Sequence, residues 1–326
     1  MESPSLSNSK APMSPLDFGI DLITFFHPGF WNLESESDVI AYGMANPRPF
    51  WDRMLDTLDG TGITGIELTF APFGWTEMVR AYGSAAGVQA ALDGRGLKIA
   101  SGFFADVAIE GRLDDAEQQA SLIDRAEKYA AFLAEMGAEL LVMGLPMRSS
   151  WNQKPPVFVD LPMAAAVADF CNRLGAATLR HGVRLALHTE AHSIFSLPRD
   201  VDLIMTLTDP VYVGFCPDTA HLLLGGADPV AVVERHIDRV ILAHWKDATG
   251  SMPLYISIDE TIHQAHRPYF CALGSGRVDW QRWARLMRDR DVRGWAVLEI
   301  DAVADPGREI RRSLDYVNTC LRPIFG

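Results

Sequence analysis

The chain has 326 residues, 48% of them hydrophobic, with 42 acidic against 29 basic side chains and a net charge of −13. The length suits a single α/β barrel with insertions, and the acidic field, with no Lys/Arg-rich run, excludes nucleic acid as a partner. No uncharged apolar run is long enough to span a bilayer, so no membrane partner is expected.

Residues 1–15 belong to a polar stretch without an apolar core, MESPSLSNSKAPMSP, and read as a disordered tail rather than a secretory signal. Residues 16–326 read as one catalytic domain. Strand one is Phe18–Phe25, followed by an aromatic loop, FHPGFWNL, and a helix from about Asn46 to Leu58. Strands two and three are Ile63–Phe70 and Leu97–Phe103. Apolar residues at helical spacing mark a long helix over Leu113–Met136, stopped by Gly137. Strand four is Ala138–Gly144, a helix covers about Leu161–Arg180, and strand five is Val183–Glu190. Helices near Pro198–Thr208 and Pro229–His236 lead into strand six, Val211–Pro217, and strand seven, Arg239–Trp245. A long loop, Lys246–Gly276, precedes a helix near Trp280–Arg288, strand eight at Gly294–Ile300, and a last helix over about Gly307–Leu321.

Eight short, nearly all-apolar strands alternating with helices predict a parallel sheet walled by helices and closed into a single (β/α)8 TIM barrel, with an enlarged loop after strand seven. The phosphate-binding fingerprints of open doubly wound sheets, GxGxxG after strand one and GxxxxGK[ST], are absent. The four cysteines, Cys171, Cys216, Cys271 and Cys320, form no CxxC and read as reduced packing thiols of a cytoplasmic protein.

Four strand ends carry Glu190, Asp218, His244 and Glu299. Barrel active groups sit at the carboxyl ends of strands, so these four converge on one side of the mouth. Three carboxylates and one imidazole make a hard, oxygen-rich site for one divalent ion, Mn²⁺ ahead of Mg²⁺. Taken singly, Asp218 reads equally as a helix cap and His244 as a core histidine. Only the joint pattern lifts the metal reading above those. Cys216 shares the face of Asp218 one layer deeper, and His188 shares that of Glu190, placed to orient a ligand.

The segments HTE ending at Glu190, CPDTAH at 216–221, HWKD at 244–247, LGSGRVDW at 273–280 and VLEID around Glu299 resemble the xylose isomerase-like barrels of sugar phosphate isomerases and epimerases. The resemblance spans the whole barrel. It implies a metal held by Glu190, Asp218, His244 and Glu299, with the glutamates shuttling protons and His221 meeting substrate oxygens. Such a metal polarises a ketone and stabilises the enediolate left when an α-proton departs. Glu190, Glu299, His192 and His221 are then the candidate catalytic groups. His27, His188, Lys246, His263, His266 and Arg267 are candidate substrate contacts, although Lys246-Asp247 reads equally as a surface pair.

Aromatics crowd the strand ends: Phe25, Phe26, Phe30, Trp31, Phe70, Phe73, Trp75, Phe103, Phe104, Trp151 and Trp245. They read either as loop packing or as a site for a bulky aromatic group. Together with the opening ITFFHPGFW they resemble one branch of the family, the C-glycoside deglycosidase alpha subunits. That likeness implies carbon–carbon lyase action on 3-keto C-glycosides of aromatic aglycones, with a small beta subunit as partner. A ketose epimerase or isomerase and an inosose dehydratase-like lyase are the other enzyme readings, and a metal-free binding barrel is the non-enzymatic one. Against the ketose 3-epimerases, Trp245-Lys246-Asp247 replaces their Ser-Glu after the histidine. Against the trinuclear-zinc abasic-site endonucleases, the ends of strands two and three read TFAP and SGFF, without histidine.

Overall fold

The computed structural model describes residues 16–110, 113–148, 157–253 and 256–325. The expected tail, residues 1–15, and Trp151 lie outside these. Among the described residues ten strands are present: β1 (Leu16–Asp21), β2 (Gly65–Leu68), β3 (Lys98–Phe104), β4 (Leu140–Gly144), β5 (Arg184–His188), β6 (Val213–Cys216), β7 (Ala243–Trp245), β8 (Asp247–Ala248), β9 (Phe270–Cys271) and β10 (Gly294–Leu298). Eight of them pair in parallel in the order β6-β5-β4-β3-β2-β1-β10-β7. The sheet returns on itself through the parallel bridges Phe215↔Val240 and Asp218↔His244, with His244 N–H donating to the Pro217 carbonyl at 3.0 Å. The predicted (β/α)8 barrel is therefore the observed fold. No helix among the described residues is long and apolar enough to cross a membrane.

Local chemistry explains where the elements begin and end. The expected first strand stops at Asp21, whose Oδ1 accepts from Ile23 N–H at 2.7 Å and starts the 3-10 turn Leu22–Phe25. An unexpected helix, Glu36–Ala45, precedes the expected helix over 46–58, which is Pro47–Thr57. Pro47 cannot continue the first but suits the opening turn of the second. The long helix starts later than its periodicity suggests, at Ala116, because Asp115 caps it through Glu117 and Gln118 N–H. Strand five ends at His188, two residues early, and strand seven is reduced to Ala243–Trp245 after a 3-10 turn at Ile237–Arg239.

Of the three apolar clusters among the described residues, two frame the barrel wall. The larger lies between the sheet's outer face and the helices, where Trp245 packs with Trp280 and Trp283. The smaller fills the barrel with Leu140, Val142, Ala186, Cys216, Leu242 and Val297.

The segment after β7 has structure of its own: β8 and β9 pair antiparallel, and a short helix, Ile262–His266, stands between them. Its stem is fixed by the buried carboxylate of Asp247. Asp247 accepts from the backbone N–H of Ala248, Gly274, Gly276 and Val278 and from Trp280 Nε1, at 2.8 to 3.2 Å. This accounts physically for LGSGRVDW: the turn wraps a carboxylate, and a Cβ on Gly276 would fall on it. Replacing Asp247 by Ala orphans several buried donors. The expected loss is about 3 kcal/mol or more of unfolding free energy, read by denaturant titration, with Asp247→Asn recovering part of it.

Candidate active site and metal centre

Side chains in a closed barrel alternate inward and outward, so two residues beyond each interior apolar residue lies the next inward group. From Ala186, Cys216, Leu242 and Val297 this step reaches His188, Asp218, His244 and Glu299. All four are buried, and each offers one ligand atom within 4.8 Å of the others. Asp218, His244 and Glu299 thus meet as expected. The expectation put Glu190 in this layer and His188 beneath it; the structure has His188 in the layer and Glu190 on the turn that follows β5. That turn is fixed by Thr189, whose Oγ1 accepts Asp218 N–H at 2.8 Å.

His244 Nδ1 lies 2.7 Å from Glu299 Oε2 and 3.9 Å from Asp218 Oδ2. Its Nε2 faces Glu67 Oε1 at 2.9 Å, a charge contact without hydrogen-bond alignment, and Glu67 Oε2 accepts from Ser101 Oγ at 2.5 Å. A carboxylate behind the far nitrogen is how a ligating imidazole is oriented. Asp218 serves both of its expected roles: Oδ1 caps the helix Thr219–Leu224 through His221 N–H, while buried Oδ2 has no hydrogen-bond partner among the described residues. Both His188 nitrogens are likewise unpartnered, with Nε2 3.6 Å from Asp218 Oδ2 and Nδ1 3.8 Å from Glu190 Oε2. Buried polar atoms left open and converging are costly unless a cation joins them, so the layer fits a divalent ion. Two imidazoles and two carboxylates make this layer richer in nitrogen than the set expected from the sequence.

Lys246 is buried beside the layer rather than forming a surface pair with Asp247. Its Nζ donates to Glu299 Oε1 at 2.5 Å and Asp301 Oδ1 at 2.8 Å, lies 3.2 Å from His221 Nε2, and stands 3.9 Å over the Phe270 ring. Burial disfavours its charge, but Asp301 and Glu299 outweigh it and hold the ammonium well above its usual range. Burial also opposes ionisation of Glu299, and Lys246 with His244 reverses that, holding it well below the carboxylate range. Asp301 is pushed up to about 6 by burial, which together with Glu299 outweighs Lys246.

His221 is buried, with Nδ1 accepting from Ala191 N–H at 3.2 Å, and burial with the Lys246 charge holds it neutral. A neutral imidazole has one lone pair for such bonds, so it cannot accept from Ala191 and Lys246 together. Glu190 Oε1 stands 3.4 Å from His221 Nδ1, 3.8 Å from His263 Nδ1 and 3.7 Å from His266 Nδ1. Burial pushes its carboxyl well above the usual range. His192 stacks on His266, Nδ1 to Nε2 3.0 Å. His27 caps the helix Pro28–Trp31 by accepting Gly29 N–H, and Arg267 pairs with Glu36 on the segment after β1.

Most of the crowded aromatics are packing. Phe25, Phe26, Trp31, Phe73, Phe104 and Trp245 are buried, Trp31 stacking on Phe50 at 4.1 Å, and Trp75 stacks between helices on Tyr129 and Phe132. Phe103 faces the site, its ring 5.2 Å from His188. A cavity of about 750 Å³ opens at the opposite, amino-terminal end of the barrel, beside Asp17, Lys98, Glu139 and Arg184, and touches none of these site residues.

A profile of the family described as xylose isomerase-like TIM barrel matches residues 55–320. The chain belongs to the xylose isomerase-like TIM barrel family. It is similar to inosose dehydratase of Halalkalibacterium halodurans, 24% identical over 267 residues, 78% of this chain and 86% of that one. Among solved structures it is similar to the IolI protein with a bound zinc atom (TM-score 0.67, 13% identity, 93% and 97% of the two chains). It is also similar to the 3-keto-D-glucoside 4-epimerase YcjR from E. coli (TM-score 0.64, 17% identity, 94% and 100%).

Four groups in this family member escaped the sequence reading: Asp21, Glu67, Phe270 and Asp301. Asp21 and Glu67 had a usable signal, a charge inside an apolar strand run with both faces covered. Phe270 and Asp301 had none, since their placement depends on how the ends of β8, β9 and β10 turn. Replacing Lys246 by Met strands Glu299 and Asp301 beside each other without a cation. Unfolding free energy should fall by about 3 kcal/mol or more, and the double change with Asp301→Asn should recover part of it in denaturant titrations of metal-free protein.

Proposed function

We propose that the chain is a divalent-metal-dependent enzyme that removes the proton beside the ketone of a cyclic sugar-like substrate. The observation that carries this reading is the buried layer of His188, Asp218, His244 and Glu299, with open ligand atoms converging next to a fixed ammonium. An ion held there would polarise the ketone oxygen and favour the negative charge that grows on it as the proton leaves. Glu67 orients His244 for that ion. Lys246 adds a second positive charge and donors for a substrate oxygen. His221, in contact with Lys246, is the proposed proton-transfer group.

The outcome proposed first is elimination from a keto-polyol, supported by the similarity to inosose dehydratase. Carbon–carbon cleavage of a 3-keto C-glycoside is the second reading. It rests on Phe103 and Phe270, whose rings lie against His188 and His221, rather than on the wider aromatic count. A small protein partner belongs to that second reading alone. Epimerisation shares the first proton transfer; there the proton returns to the opposite face of the same carbon, whereas elimination instead expels a β-hydroxyl as water.

Chelation should abolish turnover, with recovery on adding Mn²⁺ or Zn²⁺. Turnover in D₂O should exchange the hydrogen beside the carbonyl; a product that keeps it would refute the mechanism. Inososes and other keto-polyols should give dehydrated product by mass spectrometry, whereas free aglycone from a 3-keto C-glycoside would move the assignment to the second reading. His221→Asn should lower the exchange rate by roughly 10²-fold or more while leaving bound metal unchanged.

A further inference from the structure

We propose that the amino-terminal end of the barrel is a second binding site, for a small organic acid with a flat apolar body. The cavity there, about 750 Å³, is of a size that takes small molecules. The side-chain alternation that builds the metal layer at one end builds this well at the other. Leu140, Arg184 and Trp295 stand two residues before the interior Val142, Ala186 and Val297. Asp17 and Lys98 stand two before Gly19 and Ala100, which face each other inside the barrel. All five line the cavity.

Its floor is apolar. Trp295 and Ile241 lie against the interior plug and are only partly buried, so each keeps a face toward the well. Two glycines make room for them. A Cβ on Gly65 would collide with the Trp295 ring, and one on Gly214 with Ile241 Cδ1. An indole and an aliphatic chain open to solvent above a packed core gain by covering, and a flat ring system supplies the matching surface.

The charges select the ligand's polar end. Lys98 on β3 and Arg184 on β5 flank Leu140 on the strand between them. Strands about 4.8 Å apart put their Cα atoms roughly 10 Å apart, so the two long side chains can meet on one anionic group. Among the described residues neither has a side-chain hydrogen bond or ion pair, and nor has Asp17. At the rim, Arg293 is paired with Asp291 and Asp93 accepts from Gln89, while Glu139 has the parity opposite to inward Leu140. Two free cations and one free carboxylate therefore face the well, a locally positive place in a chain of net charge −13. Arg184 supplies the fork that fits a carboxylate. Asp17 stands beside Trp295, its partner in register on β10, and repels a second anionic group there. The fitting ligand thus carries one negative charge.

The well is separate from the chemistry at the mouth. Arg184 and His188 share β5, and Trp295 lies four residues before Glu299 at the end of β10; in each case the step is roughly 13 Å with an apolar residue between. A molecule in the well touches no group of the metal layer, so this inference stands whether or not the proposed reaction does.

The test is calorimetric titration of the full chain with naphthoate and with its uncharged analogue naphthamide. Naphthoate should bind once per chain, equally to chelator-stripped and Zn²⁺-loaded protein, and naphthamide about tenfold or more weakly. The double charge reversal Lys98→Glu with Arg184→Glu should weaken naphthoate by roughly tenfold or more. Both positions are exposed, and a thermal melt checks that the variant folds. Absence of saturable naphthoate binding would overturn the proposal. So would binding that the folded double variant retains unchanged, binding shared equally by naphthamide, or binding that Zn²⁺ loading alters, since the acid would then sit elsewhere or be held without the two cations.

Discussion

The alternation of side chains in a closed parallel barrel is the constraint on which the rest depends. Leu140, Val142, Ala186, Cys216, Leu242 and Val297 fill the interior beneath the site with apolar side chains. The next inward step along four strands can then be polar at once, without a loop to arrange it. Hydrogen bonding between strands sets the heights: Val297 pairs with His244, and Asp218 bridges to His244. The positions of these four polar groups are thereby set by backbone register, which is stiffer than any loop.

The second determinant is charge balance in a dry place. Asp21, Glu67, Asp218 and Glu299 are buried around His244, with Lys246 as the nearest permanent cation. Burial, then the charges of Glu299 and Glu67, push Asp21 well above its usual range, the signature of one carboxylate too many. In the metal-free chain His244 makes up part of the deficit. Burial opposes its charge, yet Glu67 and its other neighbours hold it well above the usual imidazole range. A ring carrying both protons cannot ligate, so metal binding would release one and leave Glu67 as acceptor for the other.

The barrel was legible because strands covered on both faces are nearly all apolar and return after each helix. The site was legible in three of the four residues of its layer, since Asp218, His244 and Glu299 each follow an apolar run directly. At strand five the structure puts His188 in the layer and Glu190 on the turn beyond it. His-Thr-Glu offers two candidates of the same parity, and only the bond from Asp218 N–H to Thr189 shows where the strand ends. Aromatic residues near strand ends could not be sorted from the sequence either. Phe103 and Phe104 are neighbours, yet one faces the imidazoles and the other packs outward among the helices. Parity decides between them, and parity needs the strand's register.

The clamp on Asp247 has a consequence for how such a barrel diversifies. Asp247 pairs with Cys271, Ala248 with Phe270, and Thr249 N–H meets the Tyr269 carbonyl at 2.8 Å, so the two ends of the excursion between them are fastened together. Lengthening a loop whose ends are already joined costs only fractions of a kcal/mol per added residue. The stretch from 250 to 268 is therefore an exchangeable cassette. It carries His263, His266 and Arg267 to the mouth, and natural or laboratory replacement can give the barrel a new roof while the floor of the pocket stays as it is.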